Sequence, residues 1–387
     1  MLRPLENSPR PRRVLHLRTV TGPGGGPEKT LLNTHRFLPA EYQSRLLYLY
    51  PRNDARFDLI ARARAAGAEL IAVPEFGPCD PRAIAQLYRE VRSYRPDVLH
   101  AHDYKTEVLA ASLGKCLNIP AVTTLHGNVT LGGRLTAYYK IGAWAWRRMA
   151  RVMAVSPDLV ELAVTAGVPR ERCRLIENGI DFDSSIRRLS PAEARRNAGL
   201  DAAGILLAAV GRLMPEKGFD VLLAAFASAL KDVPSLRLVI AGEGPERARL
   251  ERLINELKLT EHAVLLGHRS DVGVILQAAE IFVLSSRREA FPNVVLEAMA
   301  METSVIATRV AGVPGIIDHA RTGLLVDSEN VTQLAFQMKR LAQDDRLRSL
   351  LAAAARSEVE KRFSFADRMQ KECAVYDEIL SAQAGNE

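Results

Sequence analysis

The chain has 387 residues, a formal net charge of +7, 48% hydrophobic residues and 25% charged residues. This length and balance predict two or three globular domains and exclude an intrinsically disordered chain. The mild basic excess favours anionic partners such as phosphates or acidic lipids, and without a nucleic-acid-binding signature we expect no nucleic acid among the partners.

The cysteines and the apolar runs predict where the protein works. The four cysteines, Cys79, Cys116, Cys173 and Cys373, form no Cys-x-x-Cys pair, as is typical of a reduced protein. No apolar run approaches the roughly 18 residues that a membrane-spanning helix needs. The N-terminus is rich in proline and arginine and lacks the apolar core of a signal peptide. We therefore expect a cytoplasmic protein, with a peripheral position on the inner face of the cytoplasmic membrane left open.

In chain order, short β-branched runs alternate with helical patterns. The first half contains predicted strands at 13–19, 45–50, 69–73, 97–102, 121–126, 151–156 and 174–178. After a charged stretch without a strand, near 182–200, further strands are predicted at 204–211, 236–242, 263–267, 281–286, 303–308 and 323–326. Such alternation predicts an α/β protein of two doubly wound parallel-sheet domains. In such sheets ligands bind beyond the carboxyl ends of the strands, so the segments that follow the strands are the candidate sites.

A glycine-rich segment, "TGPGGGPEKT" (21–30), follows the first strand. Its glycines let backbone N–H groups approach an anion, and the next helix adds its positive end. This predicts phosphate or sugar contact at Gly25 and Gly26, with a plain turn as the alternative. A P-loop is excluded because Glu28 precedes the Lys-Thr pair. The dinucleotide fingerprint is excluded because Pro27 stands where glycine or alanine is needed.

Histidines end two more strands, in "HAHD" (100–103) and "TLHGN" (124–128). Two histidines and a carboxylate, His100, His102 and Asp103, suffice for some metal sites. No His-Glu-x-x-His motif or clear further ligand joins them, so we expect no metal. His126 stands beside Gly127 at a strand end, which favours a role in a site over the alternative of a core histidine.

The second half contains two candidate phosphate-binding segments. "AVGRLMPEKG" (209–218) places Arg212 and Lys217 on one loop before a helix, which predicts a diphosphate clamp; the alternative is a solvated basic loop. In "REAFPNVVLEAMA" (288–300), Pro292 fits the first turn of a helix that reaches Met301. Glu289 then lies in the loop before this helix, and Glu297 lies in its second turn.

This arrangement suits an elongated ligand that crosses the start of the helix. The unpaired N–H groups around residues 291–294 can hold phosphate. One glutamate would bind sugar hydroxyls and the other ribose hydroxyls, which predicts a nucleotide-diphosphate sugar. The alternative is a helix-dipole contact by Glu289 and a surface position for Glu297.

These segments resemble the retaining glycosyltransferases of the GT-B fold, of the family 4 kind. The resemblance covers nearly all the chain and is strongest in "GRLMPEKG", "REAFPNVVLEAMA" and "RTGLLV", with "IENGID" and "TLHGN" in support. The "GGGPEK" segment resembles a subgroup that builds bacterial surface polysaccharides. The resemblance implies two Rossmann-like domains facing across a cleft: an acceptor-side domain at 1–185, a nucleotide-sugar domain at 186–363, and a helix at 364–387 that crosses back to the first domain.

The resemblance also implies roles for the residues. Arg212 and Lys217 would bind the donor diphosphate and stabilise the charge of the leaving group. Glu289 would bind the donor sugar and Glu297 the ribose, and His126 would approach the donor sugar at the reaction centre. The further positions implied are Ala290, Phe291, Pro292, Asn293 and Val294 on sugar and phosphate, Arg269 near the base, and His102 and Asn128 on the acceptor side.

The implied reaction moves a sugar, with retention and without a metal or cofactor, to a glycan or lipid-linked acceptor in bacterial polysaccharide or glycolipid assembly. A UDP-sugar is favoured over a GDP-sugar as the donor. A sugar-nucleotide epimerase on the same fold and a non-catalytic nucleotide-sugar-binding protein are the alternatives. The chain departs from the family pattern at "METSVIAT" (301–308), which lacks the usual Gly-x-Pro turn, and at Gly315, where the family commonly has glutamate.

A basic segment, "RLTAYYKIGAWAWRRMAR" (134–151), follows His126 and is predicted to be one helix. At 100° per residue, Lys140, Arg147 and Arg151 fall in one arc with Thr136, beside Trp144. This pattern favours contact with an anionic membrane surface, with a solvated basic face as the alternative.

Overall fold

The computed structural model describes residues 10–22, 24–77, 79–127, 134–200 and 203–384, with the backbone alone at 134–139 and at 384. The chain divides into two compact units, Met1–Glu177 with Ala366–Glu387 and Asn178–Phe365. Within the described residues, one unit contains a seven-stranded sheet and the other a six-stranded sheet. All strand pairs in both sheets are parallel, so the predicted α/β fold class with two doubly wound sheets is confirmed.

The first sheet has the order β3-β2-β1-β4-β5-β6-β7. Its strands are β1 (Arg12–Thr19), β2 (Tyr42–Pro51), β3 (Leu70–Glu75), β4 (Val98–Ala101), β5 (Ala121–Leu125), β6 (Arg151–Ala154) and β7 (Cys173–Leu175). The central strands β4 and β5 are buried along their whole length. Burial on both faces explains why they appear in the sequence as apolar runs without alternation.

Helices connect these strands: α1 (Gly26–Phe37), α2 (Leu59–Ala66), α3 (Pro81–Tyr94), α4 (Tyr104–Leu117), α5 (Arg134–Trp146) and α6 (Pro157–Thr165). Helix α3 shows why such segments fold as helices. Its buried residues Ala83, Leu87, Val91 and Tyr94 are spaced three or four apart and form one apolar stripe. The Asp80 side chain accepts a hydrogen bond from the N–H of Arg82 and caps the start of the helix.

The second sheet has the order β10-β9-β8-β11-β12-β13. Its strands are β8 (Ile205–Val210), β9 (Leu236–Ala241), β10 (Ala263–Gly267), β11 (Ile281–Leu284), β12 (Ser304–Thr308) and β13 (Leu324–Val326). Its helices are α7 (Pro191–Ala198), α8 (Phe219–Leu230), α9 (Arg247–Glu256), α10 (Val272–Ala278), α11 (Asn293–Ala300), α12 (Val313–Ile316), α13 (Val331–Gln343) and α14 (Asp345–Arg362). Strand β8 lies beside β11, so the loops that follow these two strands are neighbours.

The chain passes between the units earlier than the predicted boundary at 185/186. Asn178 and Ile180 already belong to the second unit, because Ile180 exchanges backbone hydrogen bonds with Phe363 and Phe365 at 2.7 and 3.0 Å. The last helix, α15 (Phe365–Ala384), returns the chain to the first unit. There it contributes four buried residues to the core beside the sheet, namely Cys373, Val375, Tyr376 and Ile379.

The prediction of a single helix over 134–151 is wrong at its end. Helix α5 ends at Trp146, and Arg151 is the first residue of β6. The Nη2 atom of Arg151 lies 2.6 Å from the carboxylate of Glu378 on α15, so this cation is already paired. The predicted arc of three cations on one helix face therefore does not form. Thr136, also assigned to that arc, has no described side chain.

None of the described helices is both long and apolar enough to span a membrane.

Glu107 of α4 is a buried carboxyl whose Oε1 accepts a hydrogen bond of 2.9 Å from the Thr123 hydroxyl. Burial raises the pKa of Glu107 to about 8, against the opposing effect of hydrogen bonds from Thr123 and Trp146. At pH 6 the folded protein therefore holds the neutral acid, whereas the unfolded chain is ionised. The folded state binds the extra proton, so stability falls as pH rises from about 5 to about 8.

We expect Glu107→Gln to remove this slope, which reaches at most about 1.4 kcal/mol per pH unit. Denaturant unfolding at pH 5.5 and 8 would be followed by tryptophan fluorescence, since the chain's two tryptophans, Trp144 and Trp146, lie on α5 of this unit. The matched control is Glu171→Gln at an exposed position of the same unit, which should keep the wild-type slope. An unchanged slope in Glu107→Gln would contradict the assignment.

Candidate functional site

Three loops meet closely at the carboxyl ends of β8, β9 and β11. Gly218, at the start of α8, has φ of +62°, and a Cβ placed on it would overlap the carbonyl oxygen of Ser285 after β11. Gly242 after β9 has φ of +153°, and a Cβ there would overlap the carbonyl oxygen of Gly211 after β8. Both positions therefore require glycine, and backbone approaches backbone without intervening side chains.

The loop after β8 and the loop after β11 are joined by an ion pair. The Nζ atom of Lys217 lies 2.6 Å from Oε1 of Glu289, and both side chains are largely buried. The Ser286 hydroxyl donates to the same oxygen at 2.7 Å, and the Ser285 hydroxyl donates to the Lys217 carbonyl at 2.9 Å. The predicted cation and the predicted carboxylate, 72 residues apart in sequence, are thus brought into contact.

Arg212 stands on the same loop but is placed differently. Its side chain is 71% exposed, and its guanidinium lies 3.6 Å from the carboxylate of Glu216. Such an exposed pair contributes little to stability. The guanidinium is therefore available for an anion at the edge of the site, whereas Lys217 is held inside it.

Helix α11 begins one residue later than predicted. Pro292 precedes the helix as its cap residue, with extended backbone, and Asn293 is the first helical residue. Glu297 lies in the second turn as predicted but is only 8% exposed, so the alternative of a surface glutamate is excluded. Ala290 is buried as well, and together with Val294 it flanks the start of the helix.

Phe291 anchors the start of α11 in the core of the second unit. Its ring packs edge-on against Phe363 with ring centroids 5.6 Å apart. Its carbonyl accepts a hydrogen bond of 2.9 Å from the side-chain amide of Asn178. The side chain of Phe291 therefore has a packing role, and only its backbone remains for a ligand.

Sequence reasoning missed the residue that joins the two loops. Arg287 donates to the Pro215 carbonyl at 2.6 Å and to both carboxylate oxygens of Asp220 at 2.9 and 3.0 Å. Burial raises the pKa of Asp220, but the hydrogen bonds from Arg287 outweigh this and leave it below its usual value. In the sequence, "SSRRE" directly follows the apolar β11, and polar residues at a strand end were the available signal.

Arg269, predicted to approach the base, follows β10 at the edge of the second sheet. Its guanidinium donates to both carboxylate oxygens of Asp271, at 2.7 and 2.6 Å, and to the Ala198 carbonyl at 3.2 Å. These hydrogen bonds hold the loop in place. Gly315, the departure from the family pattern, lies in α12, and its carbonyl accepts from Arg362 at 3.1 Å.

The glycine-rich loop of the first unit holds the chain's own carboxylates. The N–H of Gly25 donates to Oε2 of Glu28 at 2.5 Å, and the N–H of Gly22 donates to Asp54. Burial raises the pKa of Glu28, but the neighbouring Arg18 guanidinium, 2.5 Å away, outweighs it and lowers the pKa. The Gly25 amide that was predicted to bind phosphate is therefore already occupied. Ligand contact at Gly26, the first residue of α1, stays a prediction.

Four histidines cluster at the carboxyl ends of β1, β4 and β5 in the first unit. His16 Nδ1 lies 3.0 Å from His102 Nε2, and His102 Nδ1 lies 3.0 Å from His126 Nε2. His100 contacts the Tyr376 hydroxyl at 2.6 Å and the Thr124 hydroxyl at 2.8 Å. His126, predicted as a site residue, is thus the outer member of a buried cluster. Asn128, predicted beside it on the acceptor side, lies outside the described residues.

Three of these histidines, His16, His100 and His102, have ligand atoms within 4.8 Å of one another, which is close enough to bind one metal ion. Both ring nitrogens of His100 are already hydrogen-bonded, so its contacts account for its burial without a metal. The sequence also contains an Asp-x-Asp motif, Asp181-Phe182-Asp183. There the Asp181 carboxylate accepts from the N–H of Asp183 at 3.1 Å and stabilises a turn.

Two family models match the chain. Residues 192–358 match "Glycosyl transferases group 1", and residues 24–184 match "Glycosyltransferase Family 4". An uncharacterised glycosyltransferase of Methanocaldococcus jannaschii is 30% identical over 290 residues, or 71% of this chain and 73% of that protein. The D-inositol 3-phosphate glycosyltransferase of Pseudarthrobacter chlorophenolicus is 30% identical over 294 residues, or 70% of this chain and 68% of that protein.

A solved structure shares the fold over nearly the whole chain. The crystal structure of Anabaena HepE in complex with UDP-glucose superposes with a TM-score of 0.82 at 21% identity, covering 96% of this chain and 99% of that one. The family models and the relatives match most of the sequence, and the two parallel sheets match the fold of this solved structure. The chain therefore belongs to the family 4 glycosyltransferases.

Proposed function

We propose that this glycosyltransferase is retaining and metal-independent, and that it moves a sugar from a UDP-sugar to a glycan or lipid-linked acceptor in bacterial polysaccharide or glycolipid assembly. The observation that carries the proposal is the contact of Lys217 with Glu289 at the carboxyl ends of β8 and β11, with the exposed Arg212 on the same loop. Cation and carboxylate side by side suit a ligand in which a diphosphate joins a sugar.

In this proposal Lys217 and Arg212 neutralise the diphosphate, and the leaving group retains their contacts as its charge develops. Cations that are held in position before the reaction stabilise such charge without reorganising. Glu289 holds the Lys217 ammonium, and the Ser285 hydroxyl holds the Lys217 carbonyl. Binding of the donor therefore requires little further ordering of the lysine side chain or its loop. Glu289, whose Oε1 also accepts from Ser286, keeps its second oxygen for hydroxyls of the donor sugar.

The start of α11 takes the remaining parts of the donor. The backbone from Ala290 to Val294 holds sugar and phosphate, since the first N–H groups of a helix lack partners within the helix. Glu297, buried in the second turn, takes the ribose hydroxyls. The loop that carries Arg269 meets the base through its backbone, because the guanidinium is engaged by Asp271. In the first unit, His126 meets the donor sugar, and a role for Asn128 on the acceptor side stays a prediction. His102, which was also predicted on the acceptor side, is buried with its ring nitrogens on His16 and His126, so it reaches a ligand only through His126.

The comparisons support a UDP-sugar as the donor, because the structure of HepE contains UDP-glucose. The comparisons do not identify the acceptor of this chain. The relative from Pseudarthrobacter is named as a D-inositol 3-phosphate glycosyltransferase, and that acceptor is neither a glycan nor a lipid. Membership of the family does not favour the epimerase or the non-catalytic alternative. Assay of transfer from UDP- and GDP-sugars to lipid and glycan acceptors separates the three functions.

Lys217→Ala is expected to lower turnover about a hundredfold or more, the scale of losing about 3 kcal/mol of transition-state stabilisation. The measurement is transfer from the best UDP-sugar, or its slow hydrolysis, with thermal unfolding recorded in parallel. Lys361→Ala removes the same charge from an exposed position on α14 and should leave the rate unchanged. Near-normal turnover in folded Lys217→Ala would refute the role of the cation.

Full activity is expected to survive chelation of divalent metals, because Lys217, Arg212 and helix N–H groups carry the phosphate charge. The assay compares initial rates with and without EDTA and after addition of Mn²⁺ or Mg²⁺. Loss of transfer on chelation, with recovery on adding either ion, would show that the diphosphate needs a metal and would overturn this part of the proposal.

The acceptor proposal includes contact of α5 with an anionic lipid surface. Lys140, Ile141 and Trp144 are exposed on the last turns of this helix. Arg148, in the turn that follows the helix, is exposed as well and stacks over Trp144 at 4.1 Å from the ring centroid. Basic residues beside an exposed aromatic ring suit the interface of an acidic membrane, where each cation contributes on the order of 1 kcal/mol. Two cations of the predicted arc are left out of this surface: Arg151 is paired with Glu378, and Arg147 donates to the Ala166 carbonyl at 3.2 Å.

The double variant Lys140→Glu, Arg148→Glu is expected to lose binding to phosphatidylglycerol vesicles at low salt, as measured by co-sedimentation. The control Arg340→Glu, Lys361→Glu makes the same change of charge at exposed positions of the second unit and should bind like wild type. Equal sedimentation of both double variants would assign α5 to an ordinary solvated face.

A further inference from the structure

Three imidazole rings form a hydrogen-bonded chain in the first unit. His16 lies on β1, His102 directly follows β4, and His126 directly follows β5. The contacts run from His16 Nδ1 to His102 Nε2 and from His102 Nδ1 to His126 Nε2, each at 3.0 Å. His16 and His102 are buried, whereas His126 is partly exposed at the outer end.

Burial favours the neutral form of all three rings. Burial lowers the pKa of His16 to about 4, with a smaller opposing effect from Glu372 and a smaller reinforcing one from Arg368 on α15. Burial also holds the pKa values of His102 and His126 well below 6.5, reinforced for both by the Arg18 guanidinium on β1. A neutral imidazole has one N–H donor and one acceptor nitrogen.

The chain of contacts therefore has only two consistent arrangements of protons. In the first, His126 Nε2–H donates to His102, His102 Nε2–H donates to His16, and His126 presents a bare Nδ1. In the second, His16 Nδ1–H donates to His102, His102 Nδ1–H donates to His126, and His126 presents Nδ1–H. The two arrangements differ at His16 Nε2, the buried end, and at His126 Nδ1, the outer end. Whether His16 Nε2 carries a proton therefore decides whether His126 Nδ1 carries one.

The buried end favours the second arrangement. His16 Nε2 is buried and has no hydrogen-bond partner among the described residues. The first arrangement would place an N–H there, and a buried donor without an acceptor is the rarer and costlier defect. The second places a lone pair there instead. At the outer end, His126 Nδ1 has no hydrogen-bond partner in the described part of the chain and remains for a ligand.

We propose that His16 and His102 are positioning residues that hold His126 in its Nδ1–H tautomer, so that His126 donates a hydrogen bond to an oxygen of the donor sugar and does not act as a base. This inference rests on the proposed function, in which His126 meets the sugar. His102, buried between the other two rings, thereby acts only through His126.

His100 packs against this chain without belonging to it. The Tyr376 hydroxyl donates to Glu372 at 2.8 Å, so it accepts from His100 Nδ1–H. The other nitrogen, His100 Nε2, accepts from the Thr124 hydroxyl. Both nitrogens of His100 are hydrogen-bonded to residues other than the three linked histidines. Thr124→Val therefore perturbs the same buried cluster without altering the hydrogen bonds among His16, His102 and His126.

The first test is ¹⁵N NMR of the histidine-labelled full chain at pH 7 without any donor, with His126→Gln used to identify the His126 signals. The expected spectrum shows His126 protonated at Nδ1 and bare at Nε2. A proton on Nε2, or a charged ring, overturns the inference. The measurement needs no activity, so failure to transfer sugar from any UDP-sugar would contradict the proposed function alone.

The second test removes the donor at the buried end. His16→Leu should redistribute the His126 proton between the two nitrogens and lower kcat about tenfold with little change in KM, the scale of one hydrogen bond. His16→Asn, whose amide can donate near the Nδ1 position, should restore both readings. Thr124→Val should leave the spectrum and kcat as in wild type. An unchanged His126 tautomer in folded His16→Leu would refute the positioning role.

Discussion

The contact between Lys217 and Glu289 is the interaction on which the candidate site depends. It forms because β8 and β11 are neighbours in the sheet, so the segments that follow them start side by side. Two devices keep it in place. Glycines at 218 and 242 let backbone approach backbone, and Arg287 joins the loops through Asp220 and the Pro215 carbonyl. A mobile lysine on a solvated loop would have to be ordered each time a diphosphate bound.

The first unit meets a different constraint, because it buries several polar side chains near its strand ends. Buried polar groups are tolerated when they satisfy one another. His100 is hydrogen-bonded to Tyr376 and Thr124. Glu372 accepts from the Tyr376 hydroxyl and lies 3.1 Å from the Arg368 guanidinium. These partners on α15 are remote in sequence, so the last helix completes a cluster that the strands begin. His16 Nε2 is one of the buried polar atoms without a hydrogen-bond partner among the described residues, and it biases the outward-facing ring.

Sequence reasoning worked where one local rule decides. Apolar runs between turn signals predicted every strand that the structure describes in the two sheets. Strands such as β4 and β5 were clearest, because a strand buried on both faces needs apolar residues throughout. It failed where another residue of the chain, distant or local, competes for the same group. Arg151 continues a helical arc in the sequence, yet β6 takes this residue into the sheet and Glu378 pairs with it. The Gly25 amide suits an anion, yet Glu28 three residues later supplies that anion from within the chain.

The sequence by itself determined the fold class, the order of the strands along the chain and the residue types at the strand ends, because these follow from hydrophobic period and turn chemistry. It also placed Lys217, Glu289, Glu297 and His126 among the candidates. Only the tertiary structure decided which of them touch. Lys217 meets Glu289 and His126 meets His102, because strand order brings together residues that no local pattern relates.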